Sequence, residues 1–175
     1  VVTTFLGAHA VPPEFDGRPD AYIDCVIRDV LPEVVRKRLA RYADAYCDAG
    51  AFSLEQTRRF LDAAQRAGLG LRVHASQFRD LGAVELAVSM GAASVDHLEA
   101  AGRSAVEALA RSSTTATLLP ASVVHLGLTR FAPARALIDA GAAVALATDM
   151  NPGTSPTPSM PLVLALACSY MKMRP

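Results

Sequence analysis

The sequence predicts an α/β fold built from repeated βα units, on three observations. Short apolar runs, the most uniform at 142–147, are separated by short helical patterns, the mark of parallel strands joined by crossover helices. Polar side chains capable of chemistry stand where four of the runs end: His9, His74, His97 and Asp149. No GxGxxG follows the first run and no GxxxxGK[ST] occurs anywhere, so neither nucleotide-binding fingerprint applies. The alternation alone fits a doubly wound sheet as well as a closed barrel. Chemistry at successive strand ends favours the barrel, where those ends converge on one mouth.

Residues 1–8 read as a β-rich strand ending at His9. Pro12, Pro13, Gly17 and Pro19 then make a loop, because proline and glycine set turn conformations. Over 20–39, Ile23, Val26, Ile27, Val30, Val34 and Val35 recur at helical spacing, and Pro32 interrupts this helix or opens a second. Tyr42–Cys47 is the next strand. Ser53 caps a helix with Gln56 three residues on, a capping box, and Phe60, Leu61 and Ala64 extend its apolar face until Gly68 and Gly70. A strand over 71–73, a helix over 81–90, a strand over 93–95 and a helix over 103–110 follow. A strand over 115–119, a helix over 132–140 and a strand over 142–147 complete the pattern, the last running into Thr148 and Asp149.

Composition narrows the function. The chain has 175 residues, 51% hydrophobic and 19% charged, enough for a substantial core and unlike a disordered tail. Lys+Arg and Asp+Glu both total 17, which offers no electrostatic case for nucleic acid or an anionic membrane. The Arg-containing runs at 36–41 and 58–59 read as solvated helix faces. Cys25, Cys47 and Cys168 fit neither a disulfide framework nor a CxxC site, so a reducing, cytoplasmic setting is expected. No stretch resembles a signal peptide or a membrane span. Because the chain opens directly in an apolar run, it is expected to be a segment of a longer protein.

Singly, the strand-end residues are ordinary turn, cap or packing residues. Together, imidazoles and a carboxylate at strand ends supply N and O ligands for a divalent metal such as zinc or iron, which can generate a nucleophilic water. Asp96 either orients a neighbouring imidazole or caps the next helix, the cap being favoured. Gln77, three residues beyond His74, can hydrogen-bond but cannot act as a base. Cys47 reads as a packing residue. Asn151 and Gly153-Thr154-Ser155 form either a plain turn or a loop that presents N–H and hydroxyl groups to a polar substrate.

Several stretches make the chain recognisable: LGAHAVP at 6–12, CDAGAFSLEQTRRFLDAA at 47–64, LRVHASQF at 71–78, LGAVELAVSMGAASVDHLE at 81–99, LLPAS at 118–122 and ALATDMNPGTSPTPSMPLVLALAC at 145–168. In that order they resemble imidazolonepropionases, a family of the metal-dependent amidohydrolases. The resemblance implies a partial (β/α)8 TIM-like barrel of the metal-dependent hydrolase type. Residues 1–175 would be its C-terminal portion, with the small accessory β domain absent. It further implies hydrolysis of 4-imidazolone-5-propanoate to N-formimidoyl-L-glutamate, in histidine degradation, with one divalent metal, Zn2+ or Fe2+/Fe3+.

By the same resemblance His74 and Asp149 match metal ligands, and Asp149 also matches the general base. His97 matches a residue that orients or polarises the carbonyl, His9 a substrate contact, and Asn151, Gly153 and Thr154 a substrate loop. Gln77 stands where many relatives carry glutamate, and is expected to bind substrate at the catalytic centre. The expected partner is a small molecule, with no nucleic acid and no membrane, and the parent protein is expected to be a homodimer. Family members also carry an H-x-H strand that this chain lacks, so the isolated chain is expected to be inactive. Two alternatives stand beside this reading: another cyclic-amide amidohydrolase or deaminase, and an inactive homologue serving as a structural or binding subunit.

Overall fold

A computed structural model describes residues 1–174. Six strands, β1 (Thr4–Ala8), β2 (Tyr42–Cys47), β3 (Gly70–Ala75), β4 (Ser94–His97), β5 (Thr115–Leu118) and β6 (Val144–Leu146), form one sheet in chain order, every neighbouring pair parallel. A doubly wound sheet reverses its strand order at a switch point. This sheet never does, so it is the wall of a partial (β/α) barrel.

The two faces of the wall differ in chemistry. Ladder pairing places Tyr46, His74, Asp96 and Thr117 in one row across β2–β5, and Asp44, Arg72, Ser94 and Thr115 in another on the same side. Ala43, Ala45, Leu71, Val73, Val95 and Ala116 occupy the opposite side and are buried in the core. The strands therefore do alternate, contrary to the expectation of uniformly apolar runs. The apolar side lies under the helices, and the polar side faces the barrel interior, where small strands can carry hydrophilic groups.

Among the described residues eight α-helices alternate with the strands: α1 (Pro19–Cys25), α2 (Leu31–Arg36), α3 (Leu54–Arg66), α4 (Ala83–Ser89), α5 (Arg103–Ala110), α6 (Pro120–His125), α7 (Ala134–Asp139) and α8 (Met160–Met171). Phe60, Leu61 and Ala64 of α3, Val84 and Ala87 of α4, Leu109 of α5 and Leu137 of α7 pack into the same core as the apolar strand side. Pro32 lies in the first turn of α2, and the preceding turn, Val26–Val30, widens to π-helical geometry. Proline lacks an N–H and its ring crowds the carbonyl four residues back, and a π turn is one way for a helix to absorb such a defect.

Helix α6 was not anticipated. Pro120 reads as punctuation after β5, yet its fixed φ suits the first position of a helix. Helix α8 was hidden because its run is apolar all round and shows no 3.6-residue period. Ser159 caps it by accepting from the Leu162 N–H at 3.3 Å. Among the described residues no helix is long and apolar enough to cross a membrane.

The expected capping box on α3 is present: Gln56 N–H donates to Ser53 Oγ at 3.2 Å, and Ser53 N–H donates to Gln56 Oε1 at 2.9 Å. Ser53→Ala is expected to cost about 1 kcal/mol of stability. In urea the unfolding midpoint should fall with an unchanged denaturant slope; an unmoved midpoint would show that the cap contributes nothing.

Candidate active site

The C-terminal ends of the strands enclose a cavity of about 380 Å³ lined by His9, His74, Gln77, His97, Asp149, Asn151 and Thr154, together with Tyr46. Every site residue expected from the sequence borders it except Gly153, whose N–H donates to Asn151 Oδ1 at 2.9 Å. The fold thus gathers residues from the ends of β1, β2, β3, β4 and β6 into one place. His125 lies elsewhere, exposed at the end of α6, and Cys47 is buried in the core as expected.

Against two of the cavity's histidines lies a buried carboxylate that the sequence did not single out. Asp44 Oδ1 lies 3.1 Å from His9 Nε2 and 3.0 Å from His74 Nδ1. Burial alone would raise the Asp44 pKa, but the His74 and His9 hydrogen bonds outweigh it and hold the carboxyl at about 2. For His74, burial would lower the pKa, yet the bond and charge of Asp44 raise it to about 9. An ionised carboxylate only accepts, so His74 Nδ1 and His9 Nε2 each carry a hydrogen, leaving His74 Nε2 and His9 Nδ1 with lone pairs when the rings are neutral. One ligand atom from each of His9, Asp44 and His74 lies within 4.8 Å of the others. N and O donors of this kind suit a divalent cation, and with Asp44 accepting from both rings the nitrogens left for it are His74 Nε2 and His9 Nδ1. Asp149 shares the cavity with His74 but lies outside that tight group.

Asp96 does not cap the next helix. Strand β4 runs on through His97, so Asp96 pairs with His74 in the ladder and its Oδ2 lies 3.9 Å from His74 Nδ1. Helix α5 is preceded by Gly102, without a side-chain cap. Burial pushes the Asp96 carboxyl up in pKa, against the pull of the charge on His74.

Two further carboxylate and hydroxyl contacts fix Gln77. Tyr46 Oη donates to Gln77 Oε1 at 2.7 Å, and burial, reinforced by the charges of Asp48, Glu99 and Asp149, keeps that phenol protonated by raising its pKa. Asp48, buried, accepts from the N–H groups of Gln77 at 2.6 Å, Phe78 at 3.0 Å and Arg79 at 2.9 Å. Asp44, Tyr46 and Asp48 stand two residues apart, and that spacing was the signal that could have found them. Asn151 is largely occupied in its own loop: Oδ1 accepts from Thr154 N–H at 2.7 Å, and Nδ2 donates to the Asp149 carbonyl at 2.7 Å.

Backbone strain collects at the same rim. Ser76, His97, Leu98 and Asp149 hold left-handed φ values of 54°, 82°, 73° and 51°. Such conformations in residues other than glycine cost free energy and cluster at functional sites.

No family model matches the chain. A curated imidazolonepropionase from Chloroflexus aggregans is 50% identical over 184 residues, covering 100% of this chain and 43% of its own length. One from Rubrobacter xylanophilus is 52% identical over 172 residues, covering 98% of this chain and 40% of its own. The chain is homologous throughout to imidazolonepropionases, and spans 40–43% of the length of these relatives. Among solved structures, guanine deaminase from C. acetobutylicum with bound guanine matches at a TM-score of 0.70 and 16% identity, over 98% of this chain and 44% of that one. An adenosine deaminase from Xanthomonas campestris with bound zinc matches at 0.69 and 14%, over 98% and 41%. At these identities the structures establish the fold alone.

The Asp44–His74 contact predicts a pH signature in chelator-treated protein. His74's share of the stability is whole below its ordinary pKa of 6.5 and is lost as pH rises through about 9. Asp44's share is whole above its ordinary 3.8 and is lost as pH falls through about 2. The stability gap between the unaltered chain and Asp44→Asn, from denaturant melts, should be widest from about pH 4 to 6.5 and should narrow by about pH 10. A gap that does not change with pH would contradict this coupling.

Proposed function

We propose that the chain, homologous throughout to imidazolonepropionases, forms part of an enzyme that hydrolyses 4-imidazolone-5-propanoate to N-formimidoyl-L-glutamate. The observation that carries this reading is near-half identity, along the whole chain, to relatives named for that activity. The cavity supplies a compatible chemistry. His74, presenting Nε2 with Asp44 behind Nδ1, and Asp149 would hold a divalent metal, and Zn2+ and Fe2+ both suit such N and O donors. When bound, the metal supplies Lewis-acid polarisation of a carbonyl and a nucleophilic water at neutral pH.

This chain's residues would divide the remaining work. Asp149 takes the proton from the attacking water and returns it to the ring nitrogen as the C–N bond breaks. His97 orients and polarises the ring carbonyl, whose oxygen gains negative charge in the transition state. Gln77 cannot move protons in this way, and its tether to Tyr46 and Asp48 suits a fixed hydrogen-bonding contact with substrate. His9, aligned by Asp44, offers a second ring nitrogen to the substrate. The loop of Asn151, Gly153 and Thr154 closes one side of the site. Because Asn151 is engaged within that loop, its role is to hold Thr154 and the loop backbone in place for substrate.

The full-length protein is expected to turn over 4-imidazolone-5-propanoate, to lose that activity to a chelator and to regain it with added metal. Asp149→Asn should lower kcat by about 10²- to 10⁴-fold. Absence of turnover in metal-loaded protein, with hydrolysis of a different cyclic amide or a deamination instead, would replace this substrate with another.

A further inference from the structure

Beside His97, and not lining the cavity, lies a buried carboxyl group that the proposed chemistry does not use. The Glu99 side chain is 2% exposed, and its Oε2 is buried with no hydrogen-bond partner. The imidazole of His97 is 5% exposed, and its Nδ1 is likewise buried and unpartnered. The other oxygen of the same carboxyl group, Glu99 Oε1, lies 3.6 Å from His97 Nδ1, just too far for a hydrogen bond. A buried carboxyl oxygen and a buried ring nitrogen, each left unsatisfied, are both costly. A small side-chain rotation that closes the gap satisfies both.

The backbone is shaped for this contact. His97 and Leu98 both take left-handed φ values, at 82° and 73°. Leu98 is fully buried, and its N–H donates to the Ala75 carbonyl at 3.2 Å while the Ala100 N–H donates to the Ser76 carbonyl at 2.6 Å. The neighbouring strand end thus holds a strained turn that brings residue 99 back beside residue 97. Bulky residues other than glycine take such conformations at a cost, and those that persist often have a function.

We propose that Glu99 is the positioning residue of His97: its carboxylate accepts the Nδ1–H and leaves Nε2 as the nitrogen presented to the cavity. When Nε2 takes up a proton from solvent, its N–H donates a hydrogen bond to the substrate carbonyl oxygen and keeps the proton, while the carboxylate behind the ring fixes its direction, as in other carboxylate–imidazole pairs. The role in turnover rests on the function proposed above, whereas the tautomer does not.

The test uses full-length protein labelled with 15N-histidine, in which nitrogen chemical shifts report which atom carries the proton. His97 is expected as the Nδ1–H tautomer. Glu99→Ala should release it to the Nε2–H form and lower kcat about 10- to 100-fold, with KM and metal content little changed. Glu99→Gln, whose amide oxygen can still accept, should keep the Nδ1–H tautomer and recover part of the rate. An Nε2–H tautomer in the unaltered protein, or an unchanged tautomer in Glu99→Ala, would overturn the proposal, as would a defect equal in the Ala and Gln variants. If Glu99→Ala does not fold, the unaltered protein and Glu99→Gln still decide the tautomer. If the unaltered protein has no turnover on this substrate, the reading of its function fails while the nitrogen shifts still test the pairing.

Discussion

The buried carboxylate of Asp44 is the constraint on which the rest of the site depends. It lies on the interior face of β2 and accepts from rings that reach it from beyond β1 and from within β3. Without those partners it would be an uncompensated charge in the barrel interior, a far larger penalty than a surface ion pair repays. With them, side chains from three neighbouring chain segments meet at one oxygen atom, and both imidazoles have a fixed proton position. The same oxygen therefore serves the fold and, in the function proposed, the chemistry. A metal ligand needs a defined lone pair, and a carboxylate behind the ring defines it.

A division between two sheet faces carries this design across the molecule. The outward row of Ala, Val and Leu on β2–β5 packs under α3, α4 and α5 and supplies the hydrophobic stabilisation. The inward row carries Asp44, Tyr46, His74 and Asp96, groups that are expensive to bury singly: Asp44 bonds His74 and His9, Tyr46 bonds Gln77, and Asp96 Oδ2 lies 3.9 Å from His74. Asp48 extends the scheme beyond β2, anchoring the turn after β3 through successive N–H groups and so placing Gln77. Four of the left-handed residues other than glycine, Ser76, His97, Leu98 and Asp149, stand at the rim where these rows end.

Much of this was legible in the sequence, and the gaps have physical causes. The order of strands and helices followed from short apolar runs, and the α3 capping box from Ser53 and Gln56. His9, His74, His97 and Asp149 stood out because each follows an apolar run. Asp44 and Tyr46 did not, because they lie within a strand, where a polar residue reads as noise unless alternation is counted. Asp96 was misjudged as a cap because the length of β4 decides which way it points, and strand ends are poorly specified by local pattern. Helix α8 lacked a period to read, and Pro120 carries the same chemistry whether it ends a strand or begins a helix.

The central claim is that the strand-end cluster around His74 is a metal centre whose geometry Asp44 sets. Anomalous diffraction at the metal edge, from crystals of the full-length protein, tests it most directly. A single strong peak about 2.0–2.2 Å from His74 Nε2, facing Asp149 and with Asp44 behind Nδ1, is the predicted result. A peak remote from His74, or none in protein that binds metal stoichiometrically, would contradict it.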